Sequence, residues 1–409
     1  MGATERPAPF DVAVELPRWD APRAAYVHVP FCLRACSYCA FAITTRHRDR
    51  IPEFLDAVIG EIRASARRDA DRLTPLETAY LGGGTPSLLP AVGVHRILDA
   101  LRSERGGLGS GREVTIEANP GTFDASDVEA WLHAGVTRVS LGVQTLDDPT
   151  LRRLGRTHDA AEAIGATAIT RDAGVESLSL DLIYGLPGQR LGTWLDQLRR
   201  VLDLSPDHVS LYALAIEPGT PLARQVSQPD ASDEHAVPDD DLVADMYEAA
   251  VPVLASAGYL HDEVSNWARP GYASRHNRTY WRNEAYVGVG PAAHQYVNGR
   301  RSWNVPNLLT YLDRHRRNTS PELGHEVLAP DRVVDETAML ALRIRDEGIE
   351  FDRFRRRFGV DPRERWPKTL TEAARHGLLQ LDDLRACLTD AGLLVSNEVG
   401  RRLLAEAKH

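Results

Sequence analysis

Six short runs rich in aliphatic and β-branched residues, separated by amphipathic helical patterns, constrain this chain more than any other feature. The runs are Ala25–Val29, Thr78–Leu81, Glu113–Glu117, Arg138–Val143, Ser177–Ile183 and His208–Ala213. Helical patterns fall between them at Ile51–Arg68, Val92–Arg102, Ala125–Ala134, Ala160–Ala173 and Leu191–Leu202. Strands alternating with helices call for a parallel sheet, because a strand returns in the same direction only through a crossover, and crossovers are right-handed. The even spacing predicts one α/β unit, a partial (β/α)6 TIM-like barrel, rather than two nucleotide-binding halves.

In barrels of this type the reactive residues stand at the C-terminal ends of the strands, where loops converge. Here the first run leads into three cysteines and the second into Gly82-Gly83-Gly84-Thr85-Pro86. The third ends at Glu117-Ala118-Asn119-Pro120 and the fourth at Gln144. The fifth carries Asp181 and then Tyr184-Gly185-Leu186-Pro187-Gly188. Any one of these is read most simply as a turn or a helix cap; together they predict one chemically active rim.

The rest of the chain divides by composition. Residues 1–23 are rich in Pro, Ala and charge and are expected to form a lead-in. The barrel is expected over 24–225 and an accessory region over 226–330. The latter includes a polar loop, Gln228–Asp241, a helix, Asp241–Ala257, and short strands over 260–305. From Asp331 a charged, mostly helical segment begins, and Asp382–Leu404 reads as helix, turn, short strand and helix. A small winged-helix-like domain is therefore expected over 331–409. The basic run Arg353–Arg357 reads as a solvated helix face.

With 43% hydrophobic and 26% charged residues, the 409-residue chain can build a large core without staples. A net charge of −10 argues against a nucleic-acid partner held by phosphate neutralisation. No stretch approaches the length of a membrane span, and Met1–Pro22 lacks a basic-then-apolar signal pattern, so a cytoplasmic protein is expected. Peripheral membrane contact and a homodimer are compatible with the sequence.

Only four cysteines are present, and three fall in Cys32-Leu33-Arg34-Ala35-Cys36-Ser37-Tyr38-Cys39. Such a cluster is not a disulfide framework and reads as metal-binding or catalytic. Thiolates are soft ligands suited to iron–sulfur clusters, which ordinarily take four. Three would leave one iron open. A zinc site completed by His28 or His47 and a dithiol pair at Cys36 and Cys39 are the alternatives. Cys387 lies far off in a helical pattern and is expected to be an ordinary buried residue.

With these motifs the segment from Tyr26 to about Arg300, continuing into the tail, resembles the radical S-adenosylmethionine (SAM) family that holds oxygen-independent coproporphyrinogen oxidase and the heme chaperones. The resemblance implies a 4Fe-4S cluster on Cys32, Cys36 and Cys39, with SAM at the open iron. It implies SAM contacts from Tyr26, from Tyr38 beside the adenine, and from Gly83, Gly84 and Thr85 at the amino group. Glu117, Gln144, Arg156, Asp181 and Ala215 match further contacts, some of which hold a second SAM in the oxidase.

Two departures separate this chain from the oxidase. The oxidase has a fourth cysteine two residues after the third, where this chain has Phe41, and it has a longer N-terminal extension. His276-Asn277-Arg278-Thr279-Tyr280-Trp281 instead resembles a motif of the heme chaperones, whose histidine binds heme. The resemblance therefore implies heme held by the His276 imidazole, a standard axial ligand, and passed to a membrane-bound respiratory protein. Without it, the motif reads as a packed aromatic cluster. His294 is the second candidate, and Cys387–Asn397 is similar to the chaperone-type tail. The alternative is a radical SAM oxidase acting on porphyrinogen propionates.

Overall fold

A computed structural model of the chain describes residues 21–227 and 236–407. Most of the expected lead-in and much of the expected loop at 228–241 lie outside the described residues. The described residues form two compact units, 21–326 and 327–407.

In the first unit, six strands follow one another in spatial order: β1 (Ala24–Val29), β2 (Leu76–Gly83), β3 (Leu108–Ala118), β4 (Arg138–Gln144), β5 (Ser177–Tyr184) and β6 (His208–Ala213). All neighbouring pairs are parallel. Between them run α1 (Ile51–Arg68), α2 (Ala91–Glu104), α3 (Ala125–Ala134), α4 (Asp148–Leu154), α5 (Ala160–Asp172) and α6 (Leu191–Leu202). The helices start where local chemistry supplies missing acceptors. Asp124 with Asp127, and Asp159 with Glu162, form reciprocal capping boxes for α3 and α5. β3 begins five residues before the expected start because the glycine-rich stretch leading into it pairs Leu108 with Leu76 instead of turning.

The strands alternate strictly between two environments. Val27, Ala79, Leu81, Val114, Ile116, Val139, Leu141, Leu178, Leu180, Val209 and Leu211 are buried in the core with the helices. Residues paired across parallel strands share a face. The opposite face aligns Tyr26 with Tyr80, Glu117 with Ser140, Ser140 with Ser179, and Asp181 with Ser210. Parallel strands packed on both faces are normally near-continuous in apolar residues. Here the inner face is polar, so the barrel has a lumen in place of a packed centre.

The segment expected as a separate accessory region builds both edges of this same sheet. After α7 (Pro221–Val226) and α8 (Asp240–Ser256), the hairpin of β7 (Leu260–Glu263) and β8 (Asn266–Ala268) pairs antiparallel with β6. After α9 (Arg275–Trp281), β9 (Tyr286–Val289) pairs parallel with β1; β10 (His294–Val297), β11 (Arg300–Asn304) and β12 (Glu322–Val327) follow, with α10 (Leu308–Arg316) between the last two. Both open edges of the six-stranded sheet are thereby paired, which leaves fewer unpaired backbone groups than a six-stranded unit would.

The second unit holds α11 (Pro330–Ala341), β13 (Ile349–Glu350), α12 (Phe351–Phe358), α13 (Pro362–Arg365), α14 (Pro367–Arg375), β14 (Leu379–Leu381), β15 (Arg385–Leu388), α15 (Asp390–Leu394) and α16 (Ser396–Glu406). Its three strands form an antiparallel sheet against the helices, a winged-helix-like arrangement. On α12 the basic run is a charged face, as expected: Phe351, Phe354 and Phe358 are buried while Arg355 pairs with Asp352 and Asp361. The helix expected from Asp382 is absent. Asp382 accepts the backbone N–H of Leu384 and Arg385 and starts a turn into β15, where Cys387 is buried in a strand.

Candidate functional site

The loop after β1 is tied down before it presents any chemistry. Cys32 N–H donates to Thr44 O at 2.9 Å and Thr44 N–H to Pro30 O at 2.7 Å, closing the loop at its base. Ser37 N–H donates to Leu154 O at 2.8 Å, anchoring the middle of the loop to the end of α4. Gly84 allows the second rim segment to approach: a Cβ there would stand 2.8 Å from the carbonyl oxygens of Val29 and Phe31.

Below this loop lies a cavity of about 470 Å³, within the range of a small-molecule site. Cys32, Cys36 and Cys39 line its mouth. Of the residues expected to contact SAM, Tyr38, Gly83, Gly84, Thr85, Glu117, Gln144, Arg156, Asp181 and Ala215 all line it. Tyr26 does not. Its hydroxyl is 3.1 Å from His28 Nδ1 and its ring stacks on Tyr80, which lines the cavity.

Cys32 and Cys36 are joined through a polar chain. Thr85 Oγ1 donates to Cys32 Sγ at 3.4 Å, and Asn119 Nδ2 donates to Thr85 Oγ1 at 2.9 Å. Arg156 Nη2 donates to Asn119 Oδ1 at 2.5 Å and to Gly142 O at 2.7 Å, while Nη1 lies 3.7 Å from Cys36 Sγ. Arg156 reaches this position because Gly155 ends α4 in the left-handed conformation. Asn119, central to the chain, was not singled out from the sequence. Its signal was its place in the rim segment that also carries Glu117.

Burial pushes the Cys32 thiol up to about 11 and raises that of Cys39. Metal binding would deprotonate such thiols. Zinc does not fit. Among the described residues no three Cys, His, Asp or Glu side chains are grouped to hold one ion, and tetrahedral zinc needs four ligands within about 2.3 Å of one point. His28 is also taken, its Nε2 2.9 Å from Ala42 O and its Nδ1 facing Tyr26. Three thiols spread over one cavity mouth fit the larger cluster.

Deeper in the lumen sit two carboxylates. Glu117 accepts from Tyr80 OH at 2.8 Å and Gly83 N–H at 3.0 Å, yet burial holds its pKa up at about 7. Burial also raises Asp181, against hydrogen bonds from Ser210, Ser140 and Ser179. At the end of β4, Gln144 has φ +67°, and the register shifts between Leu141 and Gln144. A non-glycine residue held in that region marks local strain of the kind found at ligand sites.

The histidine of the expected heme motif is elsewhere. His276 is 1% exposed on α9, with Nδ1 2.8 Å from Thr78 Oγ1 and Nε2 2.8 Å from Tyr280 OH. Its ring stacks on Tyr80 at 5.1 Å. Burial lowers its pKa to about 3, so it is neutral, but both ring nitrogens are engaged. In the fold His276 packs, with a hydroxyl within hydrogen-bonding distance of each ring nitrogen. Glu113 fixes α9 by accepting from Arg275 N–H and His276 N–H, which leaves the next residue, Asn277, lining the lumen.

A βα barrel that sets three thiols over a polar lumen defines a radical SAM protein, and the model of the Radical SAM superfamily matches residues 26–201. The HemN C-terminal domain model matches residues 328–395. Heme chaperone HemW of Lactococcus lactis is 34% identical over 94% of this chain and 98% of its own length. Heme chaperone HemW of Mycobacterium tuberculosis is 37% identical over 98% of this chain and 99% of its own. The solved coproporphyrinogen III oxidase HemN of Escherichia coli shares the fold, with a TM-score of 0.80 over 96% of this chain and 92% of its own, at 23% identity. The chain belongs to the HemW family of heme chaperones.

Proposed function

We propose that this protein takes up heme and hands it to a respiratory apoprotein at the membrane, while carrying a 4Fe-4S cluster on Cys32, Cys36 and Cys39 and SAM in the lumen. The observation that carries this reading is the cavity mouth. Phe41 is 70% exposed beside the cysteines, and Leu33 is exposed on the same loop. The loop thus offers three sulfur ligands and an apolar rim suited to a flat porphyrin. The curated names of relatives matched over nearly their whole length support it.

When bound, the cluster and SAM together supply a one-electron centre beside a sulfonium. The chain's own residues do the rest. Arg156 and Thr85 brace the cysteines and stabilise negative charge on their sulfurs. With SAM bound, Glu117 would hold a negative charge toward its cationic groups, and Tyr38, packed against Leu154, Ile183 and Leu186, would supply a flat apolar face for its base. Among the described residues no helix is long and apolar enough to cross a membrane.

The test is hemin titration of anaerobically reconstituted protein, followed by absorbance and gel filtration. A saturable Soret band that co-elutes with the protein, without SAM-dependent conversion of coproporphyrinogen III, is the expected result. Conversion of coproporphyrinogen III with no hemin binding would replace this reading with the oxidase.

A further inference from the structure

Beneath the residues expected to contact SAM lies a second level of polar side chains. Residues two apart on a strand face the same side. On β3 Thr115 therefore stands below Glu117, and on β4 Arg138 stands below Ser140. The register sets Thr115, Arg138 and Ser177 side by side, and Ser179 beside His208. At this depth α9 closes the lumen. Glu113, two residues before Thr115, accepts the N–H groups of Arg275 and His276. The first turn of α9 thus brings Asn277 to the floor, and Arg138, His208 and Asn277 all line the cavity. None of the three is among the residues expected to contact SAM.

Each keeps bonding capacity that the protein leaves unused. Arg138 is 4% exposed and always charged. Its Nη1 donates to Ser177 Oγ at 3.0 Å, but among the described residues it forms no ion pair. His208 is 1% exposed, with Nδ1 2.9 Å from Ser179 Oγ. Ser179 in turn donates to Asp181 Oδ1 at 3.3 Å, so its oxygen accepts the Nδ1 proton and the lone pair of His208 falls on Nε2. Among the described residues that nitrogen has no hydrogen-bond partner, nor has Thr115 Oγ1. Burial, and in smaller part Arg138, holds His208 neutral. Among the described residues no group bonds the Asn277 carboxamide. Buried polar groups are nearly always paired, and a buried cation above all. Several unpaired ones around one floor mark a place suited to a polar ligand.

The same residues select its chemistry. A guanidinium fork calls for an anion and matches a carboxylate. Glu117 and Asp181 stand on the levels above, which disfavours a doubly charged phosphate and admits a single charge. Asp181 is occupied by the hydroxyls of Ser140, Ser179 and Ser210. The acceptors left to a ligand are His208 Nε2 and the Asn277 carboxamide oxygen, and they call for an O–H donor. Only about 7 Å of strand separates the level of Arg138 from that of Glu117, which admits a molecule of a few heavy atoms.

We propose that the floor of the lumen binds a small 2-hydroxycarboxylate, its carboxylate on Arg138 and its hydroxyl toward His208 and Asn277. This goes beyond the chaperone reading and does not rest on it.

The experiment is isothermal titration of the full-length, anaerobically reconstituted protein with L-lactate, with and without saturating SAM. Wild type is expected to bind L-lactate saturably, with Kd about millimolar, and to keep that binding when SAM is present. Lactamide, which lacks the charge, is expected to bind about ten-fold more weakly or worse, and propionate, which lacks the hydroxyl, a few-fold more weakly. These analogues test the site on wild type, whatever the folding of any variant. Arg138→Met is expected to abolish L-lactate binding and to leave SAM affinity within about two-fold; Asn277→Ala is expected to remove the preference for L-lactate over propionate. Absence of saturable L-lactate binding to wild type, equal binding of L-lactate and lactamide, or mutual displacement of L-lactate and SAM would each overturn the site. Hemin uptake by the same preparations is expected to be unchanged by L-lactate, so failure here leaves the chaperone reading standing.

Discussion

The mouth of the barrel and the aromatic cluster around α9 use similar residue types to opposite ends. At the mouth, thiols, Asn119, Arg156 and Glu117 surround a cavity, and Gln144 sits in a strained backbone conformation. Around α9, Tyr26, Tyr80, His276 and Tyr280 are stacked or hydrogen-bonded to one another with no nitrogen of His276 spare. The difference teaches that a chemically capable residue is functional only where the fold leaves part of its bonding capacity unused. Changes at the mouth should remove a ligand and spare the fold; changes around α9 should do the reverse.

The largest effect is expected at Cys36. Cys36→Ser should abolish the cluster, seen as loss of its absorbance and iron content, while far-UV circular dichroism stays that of the wild type. Collapse of the secondary structure would place Cys36 with the packed region and erase the contrast. Next, His276→Ala should cost about 2–4 kcal/mol in chemical denaturation, since it opens a void and strands the hydroxyls of Thr78 and Tyr280. A stability loss under about 0.5 kcal/mol would move His276 out of the structural class.

Glu117 sharpens the comparison through pH. Its folded pKa of about 7 is raised above the ordinary carboxylate value, chiefly by burial. A raised carboxylate contributes stability that is full below its unfolded pKa and is lost as pH rises through the folded value. The ligand-free protein should therefore lose stability between about pH 4.5 and 7, and SAM, a cation, should bind more tightly as Glu117 ionises. The gain is expected to be on the order of ten-fold between about pH 6 and 8. Isothermal titration across that window should show the slope in wild type and not in Glu117→Gln; an equal slope in both would assign the titration to another group. The smallest effect is expected from Tyr26→Phe, which loses one hydrogen bond to His28 at about 0.5–1.5 kcal/mol and leaves SAM affinity unchanged. A marked loss of SAM affinity would return Tyr26 to the cavity.

Much of the rim was legible because its residues follow strands directly. Gly83, Glu117, Gln144 and Asp181 are each placed by the strand before them, and parallel strands end together. Asn119 and Arg156 depend on more: the first acts through Thr85 and the second through the end of α4, contacts between segments 34 and 37 residues apart in the chain. The accessory strands were legible as strands but not as edges of the barrel sheet, since local pattern does not encode which strand pairs with which. The turn at Asp382 was missed because its apolar spacing also suits a helix, and side-chain acceptance of two backbone N–H groups decided for the turn.

The sequence by itself determined the alternating elements, the direction of the barrel strands and the three thiols at one end, because period, propensity and spacing are local properties. The tertiary structure alone decided which histidine keeps a free nitrogen. His276 and His294 stand 18 residues apart, in contexts equally rich in aromatics. One is bonded on both sides by Thr78 and Tyr280; the other is held on one side by a carbonyl and stacked on an indole that only strand pairing brings beside it. Burial and saturation of hydrogen bonds are set by partners distant in the chain.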